Sequence, residues 1–116
     1  HPFFDALAVL LREVSFQSDE TVFEQGQVAQ TLFIVTRGSV ELIKSADAAH
    51  TKLAQREIVS TAGAALGELA FFFNIRHIST ARTMSNTFVI VLTLQRDQFQ
   101  QMMRNFLEDE STMAEN

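Results

Sequence analysis

Gly63-Ala64-Ala65-Leu66-Gly67-Glu68-Leu69-Ala70-Phe71-Phe72-Phe73-Asn74-Ile75-Arg76-His77-Ile78-Ser79-Thr80-Ala81 is the stretch on which the reading of this chain turns. A glycine opens a short apolar helix whose first turn carries one carboxylate, and a basic, hydroxyl-bearing segment follows before the next extended run. That make-up suits a cradle for a phosphate and a sugar. Free backbone N–H groups at a helix start favour an anion, glycine allows close approach, and a neighbouring cation completes the charge balance.

Outward from this segment the chain reads as helix, strands, helix. Phe3, Leu7, Leu10 and Leu11 fall at helical spacing behind Pro2, which suits a helix start, so an amphipathic helix is predicted over residues 2–12. Short runs rich in β-branched and aromatic residues predict strands at 14–16, 21–23, 31–36, 39–44, 52–54, 58–60, 79–84 and 87–94. Gly26 and Gly38 supply turns, Ser85-Asn86 predicts a tight hairpin between the last two strands, and residues 45–51 predict an exposed hairpin tip. Phe88-Val89-Ile90-Val91-Leu92 is apolar on both faces, as expected of a strand between a barrel core and a packed helix. Phe71, Phe72 and Phe73 read as core packing. Phe99, Met102, Met103 and Phe106 repeat at i, i+3, i+4 and i+7, with Asp97 near the start and Arg104 near the end to suit the helix dipole. The sum is a mainly β fold, an eight-stranded double-sheet jelly roll with an N-terminal helix, a short central helix and C-terminal helices. The pattern alone leaves other small β-barrels open.

Composition narrows the function. The 116 residues suit one domain, 1–116, with a single core, and 47% hydrophobic content with 20% charge describes a globular chain. Net charge is −5 and the nine Lys and Arg are scattered, which disfavours a nucleic-acid partner. Without cysteine there is neither a disulfide frame nor a thiolate metal site, and no apolar run has the length of a membrane span. An enzyme is not expected. The three histidines lie at positions 1, 50 and 77, unlike the cluster of a metal-dependent barrel, and no nucleophile signature or P-loop is present. Asp109-Glu110 reads as a solvated surface. The abrupt ends suggest a piece of a larger protein, with 107–116 a truncated or partly ordered lid segment.

Three segments together carry a family resemblance. Residues 63–81 resemble the phosphate-binding cassette of cyclic nucleotide-binding domains, a pattern close to F-G-E-L-A-x-x-Y-N-x-P-R-A-A-T-V. Leu10-Leu11-Arg12-Glu13-Val14-Ser15-Phe16 leading to Val22-Phe23-Glu24-Gln25-Gly26 resembles that family's leading helix and first strands. Leu32-Phe33-Ile34-Val35-Thr36-Arg37-Gly38-Ser39-Val40-Glu41 is similar to its central Y-x-I-x-x-G-x-V segment. The order and spacing of the three cover nearly the whole chain.

The resemblance implies a cradle of Gly67, Glu68, Leu69, Ala70, Arg76, His77, Ile78 and Ser79, with cAMP or cGMP as candidate ligand and no cofactor. Glu68 would accept from the ribose 2′-hydroxyl, backbone N–H groups of Gly67, Leu69 and Ala70 would meet the phosphate, and Ser79 and Thr80 would lie near phosphate or base. The family's clamping arginine falls on His77 and its preceding proline on Arg76, while Val28-Ala29 stands where a second glycine is usual. An imidazole is mostly neutral near neutral pH and lacks the forked guanidinium, and losing one partner of a buried charge pair costs about 2–5 kcal/mol. Alternation along an extended segment turns Arg76 away from the face that His77 occupies. Two readings follow. The first is a cytoplasmic regulatory domain that modulates gating of a voltage-gated potassium-type channel, with cyclic nucleotide binding weakened or lost, since the Leu66-to-Asn74 stretch with a non-arginine clamp is similar to that branch. The second is a genuine cAMP or cGMP sensor. In both, the partners are other domains of the parent protein, with the membrane met only through the parent channel.

Overall fold

Alternation of apolar and polar side chains along short strands leaves each sheet with one face to bury, and two such sheets satisfy one another by packing face to face. The computed structural model describes residues 1–47 and 52–115, with elements in the order α1 (Pro2–Leu10), β1 (Arg12–Phe16), β2 (Thr21–Phe23), β3 (Thr31–Arg37), β4 (Val40–Ser45), β5 (Leu53–Val59), β6 (Ala65–Leu66), α2 (Glu68–Phe73), β7 (Thr80–Thr83), β8 (Val89–Gln95) and α3 (Arg96–Glu115). The strands form two four-stranded sheets, ordered β1-β8-β3-β6 and β2-β7-β4-β5, with every pairing antiparallel. This is the double-sheet jelly roll read from the sequence.

Two apolar clusters follow from the period of two. Phe33, Val35, Val89 and Val91, with Leu66 of the same sheet, face the other sheet and meet Phe23, Val40 and Ala81. Leu32, Ile34 and Leu94 point the other way, against Leu7 and Leu10 of α1, Phe71 of α2 and Phe99 of α3. The β3–β8 pair is thus covered on both faces, as the apolar run ending in Leu92 implied. Each fully buried aliphatic or Phe side chain contributes about 1.5–3 kcal/mol, so these clusters outweigh any single surface ion pair.

Several elements depart from the sequence reading. The predicted strands at 52–54 and 58–60 are one strand, β5, whose central Gln55-Arg56-Glu57 is polar because it lies on an exposed hairpin. The eighth strand is instead the two-residue β6, too short to leave a periodic signal. Ser85-Asn86 does form a turn, with Asn86 at φ 62, but β7 and β8 lie in different sheets, so it is a crossover and not a hairpin. Phe72 and Phe73 are 56% and 70% exposed, because a six-residue helix turns only one side inward and Ala70 and Phe71 occupy it. The leading helix stops at Leu10, where Leu11 turns extended to start β1. Part of the expected hairpin tip, 48–51, lies outside the described residues. Residues 107–115 continue α3 without a break. No described helix is long and apolar enough to cross a membrane.

Arg96, the first residue of α3, fastens the short central helix to the rest. Its guanidinium donates to the carbonyls of Ala70 (2.7 Å) and Phe71 and to Asn74 Oδ1, and it lies over the Phe71 ring. These acceptors sit at the C-terminal end of α2, where unpaired carbonyls carry partial negative charge that a cation neutralises. Arg96→Leu should leave those acceptors buried without a donor and cost about 2–4 kcal/mol. Urea unfolding followed by circular dichroism checks this, and a loss within experimental error of zero would refute the fastening role.

Candidate functional site

A chain entering α2 from β6 must reverse sharply, and Gly67 does this at φ 73, a conformation that side-chain-bearing residues rarely adopt. Asn74, at φ 54, ends the helix, and residues 76–77 then run antiparallel to the loop after β2. His77 N donates to Gln27 O at 2.9 Å and Gly26 N donates to His77 O at 2.8 Å. This backbone clamp fixes which way each side chain of the segment faces.

His77 faces in. It is 5% exposed, and its ring stacks on Phe23 with centroids 3.8 Å apart and planes 13° from parallel. A Cβ on Gly67 would come within 2.5 Å of His77 Cε1, so the imidazole occupies the space that the glycine leaves. Among the described residues the ring makes no hydrogen bond to protein, and His77 lines the adjoining cavity. Burial holds the imidazole's pKa below its ordinary 6.5, because removing water disfavours the charged form.

The cavity measures about 310 Å³, at the small end of the range for ligand sites. Gly67, Glu68, Leu69 and Ala70 form one wall, and His77, Ile78 and Ser79 another. Seven of the eight residues picked from the sequence therefore come together. Arg76 does not join them. It is exposed, and its Nη1 donates to Gly26 O at 2.9 Å, neither residue being part of the lining. Thr80 is likewise spent on structure, its Oγ1 accepting from Gln25 N at 3.0 Å.

The facing wall was not read from the sequence. Leu42 and Lys44 of β4, Gln55, Arg56 and Glu57 of β5, and Phe23 of β2 complete the lining. The β4–β5 register pairs Lys44 with Gln55 and Leu42 with Glu57, placing these on the cavity face, whereas Arg56 pairs with Ile43 on the other. Arg56 also forms an ion pair with Glu41, which leaves it little unbalanced charge to offer a ligand. Alternation in 42–44 was legible, but splitting β5 into two strands hid the register that brings 55–57 across.

A two-sheet jelly roll whose short helix lines a cavity of ligand size defines the class: a small double-sheet β domain with a candidate small-molecule site. The chain belongs to the cyclic nucleotide-binding domain family, whose sequence profile matches residues 13–106. No curated protein sequence matches it significantly. Among solved structures, it is similar to the regulatory domain of Toxoplasma gondii PKA with cAMP, at 21% identity and TM-score 0.72 over 97% of this chain and 42% of that one. The Thermus thermophilus catabolite activator protein aligns at 17% identity and TM-score 0.69, over 97% and 51%. A regulatory subunit of a cAMP-independent protein kinase A from Trypanosoma cruzi, bound to guanosine, aligns at 22% and 0.69, over 87% and 33%. This chain spans about half or less of the length of each of these relatives.

The buried imidazole has a consequence for stability. The unfolded chain protonates His77 at its ordinary value while the folded protein resists, so the unfolded state binds more protons as pH drops past 6.5. The contribution is full above that value and is lost as pH falls toward the lower folded value. Unfolding free energy measured between about pH 8 and pH 5 should decline on acidification, and His77→Gln should flatten the slope. An unchanged slope in the variant would assign the effect to other groups.

Proposed function

We propose that this domain is a regulatory, non-catalytic module of a larger cytoplasmic assembly, and that it binds cyclic nucleotide weakly or not at all. One observation carries the reading: a neutral, buried imidazole lines the cavity where the family resemblance calls for a permanent forked cation. Backbone donors at residues 67–70 can still approach a phosphate, but they supply no net charge. The carboxylates Glu57 and Glu68 at the cavity face Lys44 and an Arg56 already paired with Glu41. Among the described residues no unpaired guanidinium lines the cavity in its place.

Signal transfer in this proposal runs along α2. A ligand touching its first turn bears on a helix whose other end is held by Arg96, and Arg96 begins α3. A shift of α2 would therefore be passed to α3, the element best placed to meet a neighbouring domain, in a two-state equilibrium that occupancy biases. The relatives named above are kinase regulatory proteins and a catabolite activator, none an ion channel, so the proposal is made for the domain and not for channel gating.

Calorimetric titration of cAMP and cGMP into the domain should show no binding tighter than about the millimolar range. Heat suits a chain with neither Trp nor Tyr. A micromolar isotherm for either nucleotide would overturn the proposal. His77→Arg should strengthen binding about tenfold or more if the rest of the cradle is intact.

A further inference from the structure

We infer that the cavity takes a small zwitterion, an α-amino acid with an apolar side chain, held by its ammonium and its carboxylate at once. This rests on the reading above that the cavity is a ligand site, and it names the ligand class that the charges of the cavity select.

The charges are mixed. Lys44 of β4, Arg56 and Glu57 of β5 and Glu68 at the start of α2 all line the cavity. Among the described residues the side chains of Lys44, Glu57 and Glu68 make no hydrogen bond or ion pair. Arg56 is paired through Nε with Glu41, which offsets much of its charge, yet its terminal N–H groups have no partner among the described residues. Two cations therefore stand against two carboxylates in the lining. A ligand with one sign of charge meets a repelling group for each attracting one, whereas a ligand carrying both signs can set each against its opposite.

Strand register decides where the opposite charges lie. Lys44 pairs with Gln55 and Leu42 with Glu57, so Lys44 and Glu57 are diagonal neighbours on the cavity face, about 7–8 Å apart along the sheet. They are not paired with each other. A molecule whose carboxylate and ammonium sit on one carbon fits between them, the carboxylate toward Lys44 and Arg56 and the ammonium toward Glu57. An ammonium has three donors, and Glu68 on the α2 wall can accept a second of them.

The remaining lining calls for an apolar side chain on that molecule. Leu69 and Ile78 are 46% and 48% exposed and line the cavity together with Leu42, so an apolar group seated there takes their surface out of water. A volume of about 310 Å³ suits a single small molecule. A plain amine would leave the cations unmet, a plain acid would leave the carboxylates unmet, and an amino acid without a side chain would leave the apolar wall uncovered.

The test titrates L-leucine, L-isoleucine, L-methionine and L-phenylalanine into this chain by calorimetry, each beside its decarboxylated amine and its deaminated acid, as 3-methylbutylamine and 4-methylpentanoate are for leucine. The same titrations are run on Lys44→Gln and Glu57→Gln, whose native side chains are exposed, with circular dichroism to check that both variants fold. At least one amino acid should bind with Kd below about 1 mM and about tenfold or more tightly than both of its single-charge analogues. Each substitution should weaken that binding about fivefold or more. If no amino acid binds below about 1 mM, the inference fails alone, because the proposed function does not depend on which ligand is taken. An amine or acid that binds within about tenfold of its parent amino acid would overturn it too, and this arm decides the matter without either variant. A loss smaller than about fivefold in either folded variant would equally overturn it. Micromolar binding in the cAMP and cGMP titration would overturn the proposed function, with the inference judged on the amino-acid arms.

Discussion

An imidazole stacked flat on Phe23 and pressed into the space beside Gly67 holds the central segment of this protein in place. The contact joins β2 to the turn into α2 and to the segment that leads from α2 to β7, which lie more than forty residues from Phe23 in the chain. It works only because each partner is what it is. Glycine leaves the room, phenylalanine offers the face, and an uncharged ring can be buried where a guanidinium would demand counter-charges. The same contact that stabilises the site therefore removes the permanent cation from it.

Arg96 sets the other boundary condition. A six-residue helix forms too few internal hydrogen bonds to persist by itself, and its free carbonyls must be met from outside. Arg96 meets them from the start of α3, with Phe71 and Phe99 packed alongside. The short helix is thus pinned at its first turn through the packing around Gly67 and at its last through a cation at the start of α3. In the proposed function, a ligand at one end and a neighbouring domain at the other would both act on the same short helix.

The charge distribution separates this cavity from a general anion site. Lys44 and Arg56 both line it, but Arg56 is paired with Glu41, and Arg76 is drawn off to the carbonyl of Gly26. Neither fact depends on how many basic residues the chain holds. Where a cation sits, and what it is already bonded to, decides whether it can serve a ligand.

Three segments in order, residues 10–26, 32–41 and 63–81, carried the family resemblance, and the last of them also held the composition of two walls of the site, because a glycine, a helix-starting carboxylate and a short apolar helix leave a local signal of spacing. The alternation of 76, 77 and 78 likewise announced that His77 and Arg76 would part company. Tertiary structure decided the rest. Phe72 and Phe73 look as apolar as Phe71, and only the docking of α2 says which is buried. Lys44, Gln55 and Glu57 became cavity residues through strand register, and Arg96 became a clasp through a fastening that spans more than twenty residues of chain. Such pairings are set by which faces meet across the core, and a linear pattern records the period of a strand or helix without recording what lies opposite it.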